Sequence, residues 1–148
     1  MKLLHSLKDI LHEEIFPDAI QYDHFWVGNV FVKWFLSSHV YELRGDKPRI
    51  PEERLLNKLI DESNPKIIQK YFKSGNRYKD ITLEDEFHPR FIVRRIRGNN
   101  RPQMVVQIEE YNYEKNIMTL QIITFLDMNR DLITKDIGER RTRFIMDL

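Results

Sequence analysis

At 148 residues, with 41% hydrophobic and 32% charged side chains, the chain holds enough apolar material for one core and too much for a disordered segment. It has no cysteine, which excludes a disulfide framework, thiolate zinc sites and thiol nucleophiles together. Its formal net charge is only +1, so bulk charge does not mark a nucleic-acid binder and any positive face has to be assembled by folding.

Leu3, Leu4, Leu7, Ile10, Leu11 and Ile15 recur at helical spacing ahead of Pro17 and predict a surface helix that lays one stripe on the core. Lys2, His5, Lys8 and Asp9 interrupt this apolar start and no small-residue cleavage site follows, so a signal peptide is not expected. No apolar run approaches the roughly 20 residues that span a bilayer, so no membrane partner is expected and a cytoplasmic location is the default. His5 and His12 lie seven apart near one helix face, but two imidazoles without a third ligand do not complete a tetrahedral site. Neither a metal nor a cofactor is expected.

Phe25 to Leu36 satisfies two periods at once. Trp26, Val30, Val32, Trp34 and Leu36 alternate as in a strand, and Gly28-Asn29 can close a small hairpin; Val27, Val30, Phe31, Trp34, Phe35 and Ser38 equally mark a helix face. Because no breaker follows until Gly45, a helix from Val30 to Arg44 is the expectation. Pro51-Glu52-Glu53 then opens a helix with its proline in the first turn and acids at the positive end of the dipole, and Leu55, Leu56, Leu59 and Ile60 supply its buried stripe. Asn64-Pro65 is read as its end, with a short helix over 66–72 beyond and Ser74-Gly75-Asn76 as a stop.

A short strand is expected over Arg77–Leu83 and a polar connector over Glu84–Pro89. Arg90–Ile96, Met104–Tyr111 and Ile117–Leu126 are β-branched and apolar, and two short turn-prone gaps separate them. Such short connections demand an antiparallel meander, since a parallel return needs a dozen or more residues. The tail, 132–148, fits a strand, a short helix or an arm. The fold expected is therefore α+β, with N-terminal helices packed on a three- to four-stranded antiparallel meander, in one domain. Within it, residues 1–36 form a helical and aromatic extension, 37–126 the core and 127–148 a tail.

The common catalytic signatures are missing: no P-loop, no G-x-G-x-x-G, no H-E-x-x-H and no G-x-S-x-G. Asp127-x-Asn129-x-Asp131 imitates the start of an EF-hand loop, but Leu132 stands where glycine is required. Glu109, Glu110 and Lys115 are poor material for a metal nuclease. Basic residues are clustered, with five between Lys66 and Lys79 and five arginines between Arg90 and Arg101. On the strand that begins at Arg90, Arg90 and Arg94 share a face, while Arg95 and Arg97 share the other. They are open to a polyanion or to ion pairing with Glu109, Glu110 and Glu114.

One ordering carries more. His39, Arg44 and Arg49 precede a helix entered through Ile50-Pro51-Glu52-Glu53, and Asn64-Pro65 and strands ending in Ile122-Ile123-Thr124-Phe125 follow. This resembles the small ribonuclease superfamily that groups barnase, colicin and RelE-type toxins with phage-borne relatives, over residues 37–126. The resemblance implies metal-independent RNA cleavage by a toxin-like or phage effector protein, with His39, Arg44 and Thr124 catalytic and Arg77, Arg90 and Arg94 on the nucleic acid. In such chemistry the substrate's 2′-hydroxyl attacks, so the protein supplies a base, an acid and cations for the phosphate. Such a site would draw on His39 for proton transfer, on arginines to clamp the phosphate bidentately and on Thr124 for a hydrogen bond. The alternative is a non-enzymatic phage or mobile-element protein that holds a protein partner through its sheet or aromatic patch. RNA, a protein partner or an antidote are the partners these readings imply.

Overall fold

The computed structural model describes residues 19–41, 43–44, 47–48, 53–126, 131–135 and 142–148. The helix expected over residues 3–15, with His5 and His12, lies outside them. Strands β1 (Ala19–Val27) and β2 (Val30–Ser37) form a hairpin, followed by the one-turn helix α1 (Ser38–Tyr41) and the two-residue strands β3 (Leu43–Arg44) and β4 (Lys47–Pro48). Helix α2 (Glu53–Tyr71) continues into a π-helical stretch, Phe72–Asn76. Then come β5 (Arg90–Arg94), β6 (Gln103–Asn112), β7 (Ile117–Leu126) and β8 (Thr142–Asp147).

The architecture corrects the sequence-based expectation of N-terminal helices on a three- to four-stranded antiparallel meander. Six strands make one mixed sheet in the order β1-β2-β7-β6-β5-β8. β5, β6 and β7 do run antiparallel to one another, but β2 joins β7 and β8 joins β5 in parallel. Glu53–Asn76 is the only long helical stretch among the described residues. The meander is thus the middle of a larger sheet whose other strands come from both ends of the chain.

Val30–Ser37 is a strand, not the start of a helix reaching Arg44. Gly28 takes φ +61° at the first of the two turn positions, where a II′-type hairpin turn needs glycine, and Val27 pairs with Val30 across it. Once β2 is pinned, its alternation decides its faces. Val30, Val32, Trp34 and Leu36 face α2 inside the core, while Phe31, Lys33 and Phe35 pair with β7 residues on the far side. On β1 a bulge places Tyr22 and Asp23 together against Trp34, so the alternation changes phase there. Tyr22 consequently reaches the helix and donates to Asn57 Oδ1 at 2.5 Å.

Asn64-Pro65 does not end the helix either. Proline inside a helix forfeits a backbone hydrogen bond and crowds the preceding turn, at a cost of about 3 kcal/mol. What offsets this is tertiary: Leu55, Leu56, Leu59, Ile60, Ile67, Ile68 and Tyr71 are buried on both sides of Pro65, in line along one face. Asn64 is buried with them, and its Oδ1 accepts the indole N–H of Trp34 at 2.7 Å. Arg77–Leu83 forms no strand; Ile81 alone makes a bridge to Tyr111.

Both margins of the sheet carry a side chain on the outer backbone. On β1 the carboxylate of Asp23 accepts the main-chain N–H of His24 at 2.8 Å. On β8 the ammonium of Lys70 donates to the carbonyl of Ile145 at 3.2 Å.

Replacing Asn64 with leucine strands the buried Trp34 N–H, so unfolding in denaturant is expected to shift by about 1–3 kcal/mol; an unmoved midpoint would show that packing alone carries the helix through Pro65. Burial first, then nearby Glu53 and Asp23, pushes the Tyr22 phenol up to about 12, and burial does the same for Tyr71. Both phenols stay neutral in the folded protein after they ionise in the unfolded chain near 10. Stability is therefore full below pH 10 and drains away between about 10 and 12. Denaturation midpoints recorded at pH 9 and 11 test this, and Tyr71→Phe should flatten the fall.

Candidate functional site

The sheet divides the sequence-derived residues between two faces and two ends. On the face away from α2, matched registers line up Gln21, Phe35, Gln121, Gln107 and Arg90 across five strands. Arg90 Nε donates to Gln107 Oε1 at 2.6 Å, and Gln107 and Gln121 both donate to Glu109 Oε1, at 2.7 and 2.8 Å. Glu109 can receive both because a bulge there sets it beside Glu110 on the same face. Thr124 stands on this face too, opposite Val105.

Arg94 is held in an ion pair. Its Nε and Nη2 bind both carboxylate oxygens of Asp147 at 2.6 and 2.8 Å, and its Nη1 donates to the carbonyl of Ile133 at 3.0 Å. Those hydrogen bonds hold the Asp147 carboxyl below its usual range and make the guanidinium still harder to deprotonate. Arg94 thereby docks β8 and residue 133 onto β5. Arg95 pairs with Glu62 at 3.5 Å, so neither arginine uses the glutamates of β6 for its ion pair.

His39 is exposed on α1, which the hydrogen bond from Ser37 Oγ to the Ile123 carbonyl sets beside the end of β7. His39 and Thr124 thus share one end of the sheet. Arg44 belongs to β3, and its side chain lies outside the described residues. Arg77 lies at the opposite end, on the α2 side, with its guanidinium carbon 4.8 Å from the centre of the Phe72 ring. The five whose side chains are described therefore do not converge on one hollow. His39 and Thr124 are neighbours by position, Arg90 and Arg94 sit two strands farther across, and Arg77 stands apart.

Three buried side-chain atoms lack a partner among the described residues: both amide atoms of Gln21, and His24 Nδ1. They occupy successive far-face positions on β1. Gln21 is 2% exposed, so in this conformation a ligand has no path to its amide. At Gln21 the far face is closed, whereas Arg90, Gln107 and Gln121 are half-buried.

The exposed side of α2 is different. Lys66, Lys70 and Lys73 follow one another at spacings of four and three, which keeps them on one side of the helical stretch, and Arg77 comes just after the kink at Gly75, whose φ is +80°. Lys66, Lys70 and Lys73 line one groove of about 450 Å³ together with Gln69, Ile145, Met146 and the Arg94-bound Asp147. Lys70 leans over the Phe144 ring at 5.8 Å while it caps Ile145. A second groove, of about 520 Å³, lies on the other flank between α2 and the β1–β2 turn; Gln69 and Lys73 line both. The cationic ridge is thus bordered by two depressions.

The walls of the second groove are fixed by Tyr111. Its hydroxyl proton is shared between the Arg77 carbonyl at 3.0 Å and Asn116 Oδ1 at 3.1 Å, and Asn116 Nδ2 donates to the Asn29 carbonyl at 2.9 Å. Asn116 can do this because it sits at φ +57°, a left-handed turn position that asparagine tolerates. Burial raises the Tyr111 phenol above its ordinary value, so it stays a donor. Beyond this network Tyr78, 75% exposed, meets Tyr113 edge-on at 6.5 Å.

The ridge was legible as a basic block but not as a surface, because a helix ended at Asn64-Pro65 puts Lys66 on a separate piece. Counting spacing through the proline would have found it. Among the described residues, no group of three or more His, Cys, Asp or Glu is placed to hold a metal, and no helix is long and apolar enough to cross a membrane. No protein-family model, no curated protein and no solved structure matches this chain, so fold and side chains carry the functional argument.

Tyr111→Phe removes the hydroxyl that ties Arg77 to Asn116 and is expected to cost about 1 kcal/mol in denaturant unfolding. Hydrogen exchange should quicken at residues 113–116 in the same variant; unchanged exchange there would deny the network its positioning role.

Proposed function

We propose that the chain is a nucleic-acid-binding module that holds the phosphate backbone along the exposed ridge of α2 and the residues just after it, through Lys66, Lys70, Lys73 and Arg77. One observation carries this reading: the seventeen residues between Glu62 and Asp80 hold five cations and no acid, and three of the cations, Lys66, Lys70 and Lys73, lie on one side of the helical stretch. A solvated helix face ordinarily mixes both signs, so a one-signed run next to two grooves favours an anionic partner. RNA is the partner the sequence resemblance suggests. Of the arginines expected on nucleic acid, Arg77 belongs to this surface, whereas Arg94 is engaged by Asp147. The proposal covers binding; cleavage would need His39, Thr124 and a cation beside them.

A protein partner is the second reading, and the observation favouring it is Trp26. It is 70% exposed on the outer strand and stacks edge-on against Phe31 at 5.1 Å, and interface centres are enriched in tryptophan.

Fluorescence anisotropy with a labelled oligouridylate across a salt series separates the two. Four phosphate contacts on a single strand give log K against log salt a slope of roughly −3, and Lys66→Glu with Lys73→Glu should cut that slope by about 1.4 and weaken binding more than ten-fold. Binding indifferent to salt and to these substitutions, or lost only in Trp26→Ala, would transfer the function to the β1–β2 face.

A further inference from the structure

The groove beside the ridge offers something a row of lysines does not. Its lining combines apolar Val27, Val30, Ile68 and Phe72 with the cations Lys73 and Arg77. Cations alone hold phosphate and are indifferent to whether the strand is paired. An apolar cleft next to them rewards a flat, poorly hydrated group attached to that phosphate, and about 520 Å³ falls within the range of small-ligand sites.

We infer that this groove is a pocket for one unpaired nucleotide, its base on the apolar wall beside Phe72 and its phosphate on Lys73 and Arg77, which makes the module selective for single strands; the inference rests on the ridge reading above. Three features support it. The Arg77 guanidinium carbon lies 4.8 Å from the centre of the Phe72 ring, so a cation able to hold the phosphate directly borders the apolar wall that takes the base. The opposite wall is the tight Gly28-Asn29 turn, where Gly28 has no neighbour within 4 Å of the position a Cβ would take, so the cleft is open on that side. Both walls are held in place through Tyr111 and Asn116, so the pocket is formed before a ligand arrives. A base within a duplex is stacked and paired and cannot enter; a base in a single strand can. Tyr78, one residue beyond Arg77, exposed and meeting Tyr113 edge-on, offers a further ring for a neighbouring base.

The test is equilibrium binding of a labelled ten-residue oligouridylate, alone and annealed to its complement, to the wild-type chain and to Gln69→Trp and Gln69→Ala. Gln69 lines the groove from the exposed side of α2, so tryptophan there fills it while alanine leaves it open. The expected result is single-strand binding at least ten-fold tighter than duplex binding, with that preference lost in Gln69→Trp and kept in Gln69→Ala. Uridine monophosphate should displace the oligonucleotide at concentrations at which inorganic phosphate does not. Equal affinity for the two forms, or a preference that survives Gln69→Trp in a variant with wild-type unfolding behaviour, overturns the pocket and leaves the ridge standing. Failure of both forms to bind overturns the ridge reading, and the pocket with it.

Discussion

The fold turns on the parallel contact between β2 and β7. β2 ends the first hairpin and β7 ends the later meander, so laying them side by side in the same direction obliges the intervening chain to cross one face of the sheet. The crossing element is α2, and the residues it brings to that face, Leu56, Leu59, Ile60 and Ile67, are fully buried against Val32, Trp34, Leu36 and Ile122. The Trp34–Asn64 hydrogen bond then fixes helix against sheet at the point where Pro65 would otherwise release it. The basic ridge follows from this geometry. With its apolar side committed to the sheet, α2 presents Lys66 and Lys73 outward, and Arg77 follows at the end of the helical stretch.

The two faces of the sheet handle polar side chains in opposite ways. Toward α2 they are few and paired one to one, as in Tyr22 with Asn57 and Trp34 with Asn64. Away from it they are collected into a seam, Arg90 to Gln107 to Glu109 to Gln121, which reads as internal bracing because its bonds tie β5, β6 and β7 to one another and Gln107 to Glu109 within β6. A chemical surface facing outward is found instead on the helix and the turn beside it. That contrast separates Arg77 from Arg90 and Arg94, three residues that look alike in the sequence.

Legibility followed the range of the interactions. The strands from Arg90 to Leu126 were readable because their turns are local and their residues β-branched, and the apolar stripe of α2 was readable from its spacing. The parallel joins were not, since nothing near Phe31 or Thr142 announces that Ile117 or Arg90 will lie beside them. Val30–Ser37 satisfied both periods, and long-range pairing with β7 decided the matter, with Gly28 the local clue that deserved more weight. Bulges at Tyr22, Glu109 and Ile123 shift the alternation in mid-strand, which hides which residues share a face. Pro65 misled because its penalty is local while the compensation, seven apolar side chains and Asn64, is tertiary. For the site, the basic block was visible, but the groove beside it was not, being made by a turn and a helix some forty residues apart.

The side chains that occupy the outer backbone of β1 and β8 bear on how this chain behaves at high concentration. An open strand is a template on which a second molecule can extend the sheet, and stacked copies grow from such margins into fibrils. Here an incoming strand would have to displace the Asp23 carboxylate from one margin and strip the Lys70 ammonium from the other, and the β1 bulge adds a local twist that spoils register. Lys70 therefore serves twice, as a cation of the ridge and as a guard against self-assembly; acetylating it would weaken both at once.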